Sequence, residues 1–144
     1  MKIESILATK SSNVYTVGPD RPLREAVDLL AEHNIGALIV VDEPGRPIGI
    51  ISERDIIREA AQSETVFSQP VSRVMTKDLI TASPDDDLET VLQTMTANHC
   101  RHLPIMDRER LIAVLSIGDV VKAQLDKWQG EVDTLQTQII EGQA

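Results

Sequence analysis

Aromatic side chains are nearly missing: one Trp, one Tyr and one Phe in 144 residues, 2% of the chain. Apolar residues still make up 42%, so the core must be built from Val, Ile, Leu and Ala. A single cysteine excludes an internal disulfide framework and suits a reducing compartment. Basic residues are also scarce, 14 Lys and Arg against 23 Asp and Glu, which gives a net charge of −9 and a pI near 4.7. That balance argues against a nucleic-acid or anionic-membrane surface, both of which need clustered cations. It leaves room for a local basic pocket that takes a small phosphate-bearing ligand. No apolar run approaches the length of a transmembrane helix, and Met1-Lys2-Ile3-Glu4-Ser5 lacks the apolar core of a signal peptide. A soluble, cytoplasmic protein is expected. The chain also lacks a glycine-rich phosphate loop, a Ser-His-Asp set and a pair of converging catalytic acids, so binding without turnover is expected.

What the chain does have is a pattern that occurs twice. Gly49-Ile50-Ile51-Ser52-Glu53-Arg54-Asp55 reads as a strand end passing into a helix. Ala113-Val114-Leu115-Ser116-Ile117-Gly118-Asp119 repeats it, with Ser116 and Asp119 standing 64 positions after Ser52 and Asp55. Thr81, Pro84, Asp85, Leu88, Leu103 and Asp107 follow Thr16, Pro19, Asp20, Leu23, Leu38 and Asp42 at an offset of 65. A one-residue deletion in the turn after Asp107 accounts for the difference. Each unit reads strand, helix, strand, hairpin, strand, helix, and is too small to bury its own apolar face. Two such units should pack against each other. A hydroxyl at the strand–helix junction can cap the helix, and it can also donate to a phosphate at the helix N-terminus. Asp55, one turn further on, is either a first-turn acid favoured by the helix dipole or an acceptor for a ribose diol. Capping explains one such pair more readily than its return at the same place in a degenerate repeat.

Taken in order, residues 1–62 form the first unit, 63–73 a polar linker containing Pro70, 74–125 the second unit and 126–144 a helical extension. Ile3, Ile6 and Leu7 suggest a short helix docked on the body. Val14 to Val17 is a brief strand, and Leu23, Ala26, Val27 and Leu30 recur at helical spacing as far as about His33. Ala37 to Val41 reads as a strand covered on both faces, returning through the turn Glu43-Pro44-Gly45-Arg46 as Pro47 to Ile51. In the linker, Val66-Phe67 could touch the core. Val74-Met75-Thr76-Lys77 echoes Ile6-Leu7-Ala8-Thr9-Lys10 and opens the second unit. Leu79 to Ala82 is its first strand, Leu88, Val91, Leu92 and Met95 its inward helical stripe, and Leu103 to Met106 its apolar strand. Pro104 implies an edge or an interrupted ladder there. After Asp119, Val121, Leu125, Trp128, Val132, Leu135 and Ile139 are spaced 4, 3, 4, 3, 4, the seam of a coiled-coil-like helix weakened by Gly130. The seam packs either on its own domain or on a partner chain.

Arg101 and His102 place positive charge where the second unit's strand begins, at positions that Gly36 and Ala37 hold in the first. If the units pack about a pseudo-twofold axis, this pair approaches the Ser52–Asp55 junction, where Arg54 and Arg58 add charge suited to a phosphate. The alternative is a set of ordinary surface charges. His99, Cys100 and His102 do not make a convincing metal site. Residues three apart on a strand diverge, and no second ligand cluster completes the coordination. Cys100 matches Ile35 and reads as a small buried apolar residue.

The doubled strand-Ser-x-x-Asp pattern, Gly-Ala-Leu-Ile-Val-Val-Asp at 36–42 and Arg-His-Leu-Pro-Ile-Met-Asp at 101–107 together resemble the cystathionine β-synthase (CBS) domain family, in which two tandem copies form a Bateman module. The resemblance covers about residues 1–125, and the long tail resembles that of stand-alone CBS-pair proteins. It implies an α/β fold of two tandem CBS repeats (β-α-β-β-α units) packed with pseudo-twofold symmetry, plus a C-terminal helix. It also implies a homodimer through the CBS repeats and that helix, a flat disc of four repeats. The implied role is non-catalytic: AMP, ADP, ATP or NAD(H) binds in the inter-repeat clefts, without a metal, and the state is passed to a regulated protein that the sequence does not name. One rival is a dimeric scaffold without sensing; the other is an enzyme, either a metal-dependent hydrolase using His99, Cys100 and His102 or a nucleotide-hydrolysing protein. In the implied site Asp55 and Asp119 hold ribose hydroxyls, and Ser52 and Ser116 contact phosphate. Arg101 and His102 also contact phosphate, joined by Arg54, while Thr16 and Thr81 line the adenine pocket. With so few aromatics, adenine would lie between aliphatic side chains. The neutral Gly36-Ala37 departs from the family's basic pair and weakens the expected phosphate affinity of the site on Ser116 and Asp119.

Overall fold

The computed structural model describes residues 1–10 and 13–143. Its elements in order are α1 (Ile3–Leu7), β1 (Thr16–Val17), α2 (Leu23–His33), β2 (Ala37–Val41), β3 (Pro47–Ser52) and α3 (Glu53–Ala60). A 3₁₀ turn (Val66–Ser68) and α4 (Val71–Val74) lead into α5 (Leu88–Ala97), β4 (His102–Asp107), β5 (Arg110–Ser116) and α6 (Ile117–Gln143). One sheet has the order β1-β2-β3, with β1 parallel and β3 antiparallel to β2; the other is the antiparallel pair β4-β5.

The register of the two hairpins carries the repeat into three dimensions. Ala37 pairs with Ser52 and Leu38 with Ile51, while His102 pairs with Ser116 and Leu103 with Leu115. Both ladders shift register at equivalent places, Val40/Val41 and Ile105/Met106. Gly45, at φ 90°, makes the turn of the first hairpin, a conformation that glycine adopts without strain.

The second repeat's first strand is shorter than the sequence suggests. Val17 and Thr16 both pair with β2, but of Leu79 to Ala82 only Ala82 forms a bridge, with Ile105. Pro104 supplies the reason. Its carbonyl accepts from Ala82 N at 3.0 Å. Its ring nitrogen points the same way along the strand and has no hydrogen to give, so the ladder stops.

Spatial halves and sequence units do not coincide. Ile3 and Ile6 of α1 are buried in the second core, among Leu88, Val91, Met95, Leu103, Ile105 and Leu115. Val66 and Val71, with Val74 and Met75 beside them, belong to the first core, with Leu23, Ala26, Leu38, Val40 and Ile51. Matching backbone bonds fix the exchange. Ile3 N donates to Asp86 O at 3.0 Å and Glu4 N to Pro84 O at 2.9 Å; Val71 N donates to Arg21 O at 2.8 Å and Ser72 N to Pro19 O at 2.9 Å. The segment read as a polar linker, in which Val66-Phe67 could touch the core, therefore closes the first core through Val66 and Val71, and the N-terminal helix closes the second. Burying an isoleucine contributes about 1.5–3 kcal/mol, so Ile3 alone binds the chain's start firmly to its far half.

Helix α6 runs unbroken across the boundary expected near residue 125, and Gly130 does not interrupt it. No helix among the described residues is long and apolar enough to cross a membrane.

Candidate functional site

Each strand–helix junction is a capped helix start. Ser52 Oγ accepts from Asp55 N at 3.2 Å, and Asp55 Oδ2 accepts from Ser52 N at 2.9 Å, a reciprocal capping box. The Ser52 hydroxyl also donates to Asp55 Oδ2 at 2.9 Å, so both of its hydrogen bonds lie inside the cap. Asp55 Oδ1 makes no hydrogen bond among the described residues. At the second junction Asp119 N donates to Ser116 Oγ at 3.1 Å and Ser116 N to Asp119 Oδ2 at 2.8 Å. Capping and ligand binding were alternatives in the sequence. The capping role is present at both sites, and one carboxylate oxygen of Asp55 is left over for another partner.

Two hollows open beside these caps. The first, about 450 Å³, brings Ser52, Arg54, Asp55 and Arg58 from one half against Arg101 and His102 from the other, the meeting expected from the pseudo-twofold packing. Ile50, Leu79, Ile80 and Pro104 give it an apolar part, and Glu53, Asp78, Thr76 and Asn98 complete a mixed wall. Among the described residues Arg54, Arg58 and Arg101 form no ion pair, so three guanidinium groups border one hollow with no carboxylate in direct contact, although Glu53, Asp55 and Asp78 line it as well. The second hollow, about 430 Å³, is lined by Ser116, Asp119, Lys10, Tyr15, His33 and again His102. Here Lys10 Nζ donates to Asp119 Oδ2 and, at 2.7 Å, to Val114 O, so the cation is already matched.

Electrostatics separate the two further. Burial tends to raise the Asp119 carboxyl pKa, but the hydrogen bond from Lys10 and those from Ser116 outweigh it and hold it below the usual carboxylate value. Burial holds His102 below its ordinary value; Glu53 and Asp119 oppose the shift, while Lys10 and Arg101 add to it. His102 is therefore a neutral imidazole at pH 7, and the positive charge expected of the Arg101–His102 pair resides on Arg101. Gly36, neutral where the other repeat has Arg101, makes space for that imidazole: a Cβ there would stand 2.9 Å from His102 Nε2. Burial also pushes the half-buried Cys100 thiol up, so it stays protonated in the wall of the first hollow.

Two expected site residues fall elsewhere. Thr16 and Thr81 are exposed and line neither hollow. Side chains alternate along extended chain, and it is their neighbours Tyr15 and Ile80 that face inward. Tyr15 also changes the expected aliphatic setting, because it stacks on His33 with ring centroids 3.7 Å apart in the wall of the second hollow. Lys10 was the residue that the sequence reading missed. It lies in the segment exchanged between halves, 109 positions from Asp119, and only the exchange brings the two together. Among the described residues no three His, Cys, Asp or Glu side chains converge to hold a metal ion, and His99, at φ 54°, turns the chain between Cys100 and α5.

Fold and hollows together define a tandem α/β repeat module whose polar groups gather where the halves meet. The CBS domain profile matches residues 3–62 and 71–126. The chain belongs to the CBS domain family, as a tandem pair. It is 35% identical over 124 residues to the CBS domain-containing protein YhcV of Bacillus subtilis, covering 85% of this chain and 87% of that one. Among solved structures it is similar to a CBS-domain containing protein from Agrobacterium tumefaciens, 37% identical with a TM-score of 0.81, covering 85% of this chain and 92% of the other. It is also similar to the CBS domain pair of protein MJ0100 in complex with 5′-methylthioadenosine and S-adenosyl-L-methionine, 26% identical with a TM-score of 0.78, covering 88% and 98%.

Proposed function

We propose that this CBS pair is a non-catalytic regulatory module that binds an adenine nucleotide, AMP, ADP, ATP or NAD(H), in the first hollow. The observation that carries the reading is the trio Arg54, Arg58 and Arg101, without ion-pair partners among the described residues, around a hollow that also holds the Asp55 carboxylate. Guanidinium groups suit a phosphate, and a carboxylate one helical turn away suits a ribose diol. The adenosine-containing ligands in the MJ0100 pair support the base and sugar part of the assignment. The second hollow, with Lys10 committed to Asp119, takes the same ligand more weakly. A ligand gripped from both halves favours one relative placement of the repeats over another, and that population shift is what a regulated protein would read. With a single cysteine in the chain, a reducing, cytoplasmic setting is expected.

Calorimetry with AMP, ATP and NADH tests this. The wild type should release heat with at least one of them, and Arg101→Ala should weaken that binding by about tenfold, the scale of one charge-assisted hydrogen bond. Asp55→Ala should also weaken it, but it opens the cap of α3, so the exposed Arg101 gives the cleaner result. A wild type that binds none of the three overturns the reading and leaves the dimeric scaffold.

A further inference from the structure

His102 alone among the described residues lines both hollows. It pairs with Ser116 at the second cap, and the missing side chain of Gly36 makes space for its ring. A Cβ on Gly36 would stand 2.9 Å from His102 Nε2 and 3.5 Å from Glu53 Oε1, so the ring and that carboxylate converge on the same glycine. Charges face the ring from four places. Glu53 comes from α3, Asp119 from α6, Lys10 from the segment after α1, and Arg101 from the residue before it. β2 brings only Gly36 and Ala37 to this wall, and β5 brings Val114 and Ser116, none of them charged. Further out, the first hollow holds Arg54, Asp55, Arg58, Asp78 and His99, and the second holds Tyr15 and His33. The polar groups nearest the ring are bonded to one another. Lys10 donates to Asp119 and Val114, while Ser116 and Asp119 close their own cap. Among the described residues no hydrogen bond reaches the imidazole, so burial and the four charges decide whether it carries a proton. Two carboxylates against two cations leave that decision close, and burial tips it to the neutral form.

We propose that His102 is a proton switch in the nucleotide site: a phosphate-bearing ligand in the first hollow draws a proton onto the imidazole, and the module binds that ligand more tightly as pH falls. The inference rests on the adenine-nucleotide reading above and adds a regulation to it. A phosphate among Arg54, Arg58 and Arg101 brings negative charge to the wall that His102 completes. An opposite charge within about 4–6 Å favours the charged form and raises the pKa of a cationic group by about 1–3. The free site starts below the ordinary histidine value, so such a rise carries the titration of His102 into the neutral range. Linkage then fixes the consequence. The complex holds more of the proton than the free protein does, and a rise of about one pH unit makes the protonated site about tenfold tighter for the ligand. The three arginines cannot supply this dependence, because guanidinium stays charged throughout that range.

Proton NMR of the full chain tests the proposal. The chain holds three histidines, His33, His99 and His102, and the Cε1 proton of each ring reports its own titration. The His102 resonance is the one absent from His102→Gln. Should that variant not fold, His33→Gln and His99→Gln identify the same resonance by elimination. Titrations between about pH 5 and 8 are recorded without ligand and with saturating AMP, ATP or NADH, each ligand that gives heat of binding being used in turn. The His102 midpoint should lie below 6.5 in the free protein and rise by about one pH unit or more in the complex. A ligand phosphate that titrates on its own alters affinity without moving that midpoint, so the midpoint decides. Heat of binding with a His102 midpoint that stays put or falls overturns the switch and leaves the nucleotide reading standing. No heat from any of the three ligands overturns that reading and the switch with it.

Discussion

The two halves share one scaffold and differ at the edge beside each hollow. In the first, Thr76 bridges Ile50 through two backbone bonds, Ile50 N to Thr76 O at 3.0 Å and Thr76 N to Ile50 O at 2.9 Å. In the second, the equivalent of Ile50 is Val114, whose carbonyl accepts the Lys10 ammonium. The closer approach in the first half leaves no space for a side chain: a Cβ on Gly49 would stand 2.6 Å from Met75 Sδ and 3.0 Å from the Thr76 carbonyl. The matching residue in the second half is Ala113, buried without difficulty. The hairpins are kept in register, and the hollows diverge through the short segments that the halves trade. One hollow ends up with a backbone edge and arginines that form no ion pair among the described residues, the other with a lysine already paired.

Three perturbations sharpen the contrast, in order of expected size. Ile3→Ala should lower stability by about 3 kcal/mol, as a fully buried isoleucine does, although it is only the third residue; urea unfolding measures it. Its counterpart Val71→Ala removes two carbons rather than three, from the first core, and should cost less. An Ile3→Ala protein as stable as wild type would mean that α1 is not held on the second core. Gly49→Ala should cost about 2 kcal/mol through overpacking against the Met75 side chain and the Thr76 carbonyl, whereas Ala113→Gly should cost about 1 kcal/mol through backbone freedom. Equal and small losses at both positions would remove the asymmetry between the edges. The smallest effect concerns His102, which both hollows share. Its pKa is lower in the folded chain, so as pH falls through about 6.5 the unfolded chain takes up a proton before the folded one. Stability should therefore decline with acidification in that window and level off once the folded value is passed. His102→Gln should remove that part of the slope in thermal melts taken across the window.

The hairpins were legible from the sequence because a buried strand pair announces itself in apolar runs, and because two copies at offsets of 64 and 65 check each other. Ser52, Asp55, Arg101 and His102 were legible as a group for the same reason: twofold packing of a repeat brings the start of one unit's strand to the end of the other's. What stayed hidden lies in segments without periodicity. Five residues of α1 and four of α4 are too short to show which core they join, and Lys10 had no visible partner until that was known. Thr16 and Thr81 missed by a single position, since one residue of register exchanges the two faces of an extended chain. The charge of His102 was also beyond the sequence, because its protonation depends on burial beside four ionisable groups drawn from both halves.

The traded helices also impose an order on synthesis. The first core is complete once the chain has been made as far as Met75, since every residue packed in it has then been made. The second cannot close until Leu115 and Val120 have been made, yet it needs Ile3, made more than a hundred residues before them. Helix α1 therefore stays outside its native core while more than a hundred residues are made after it, and the second core can close only after the first.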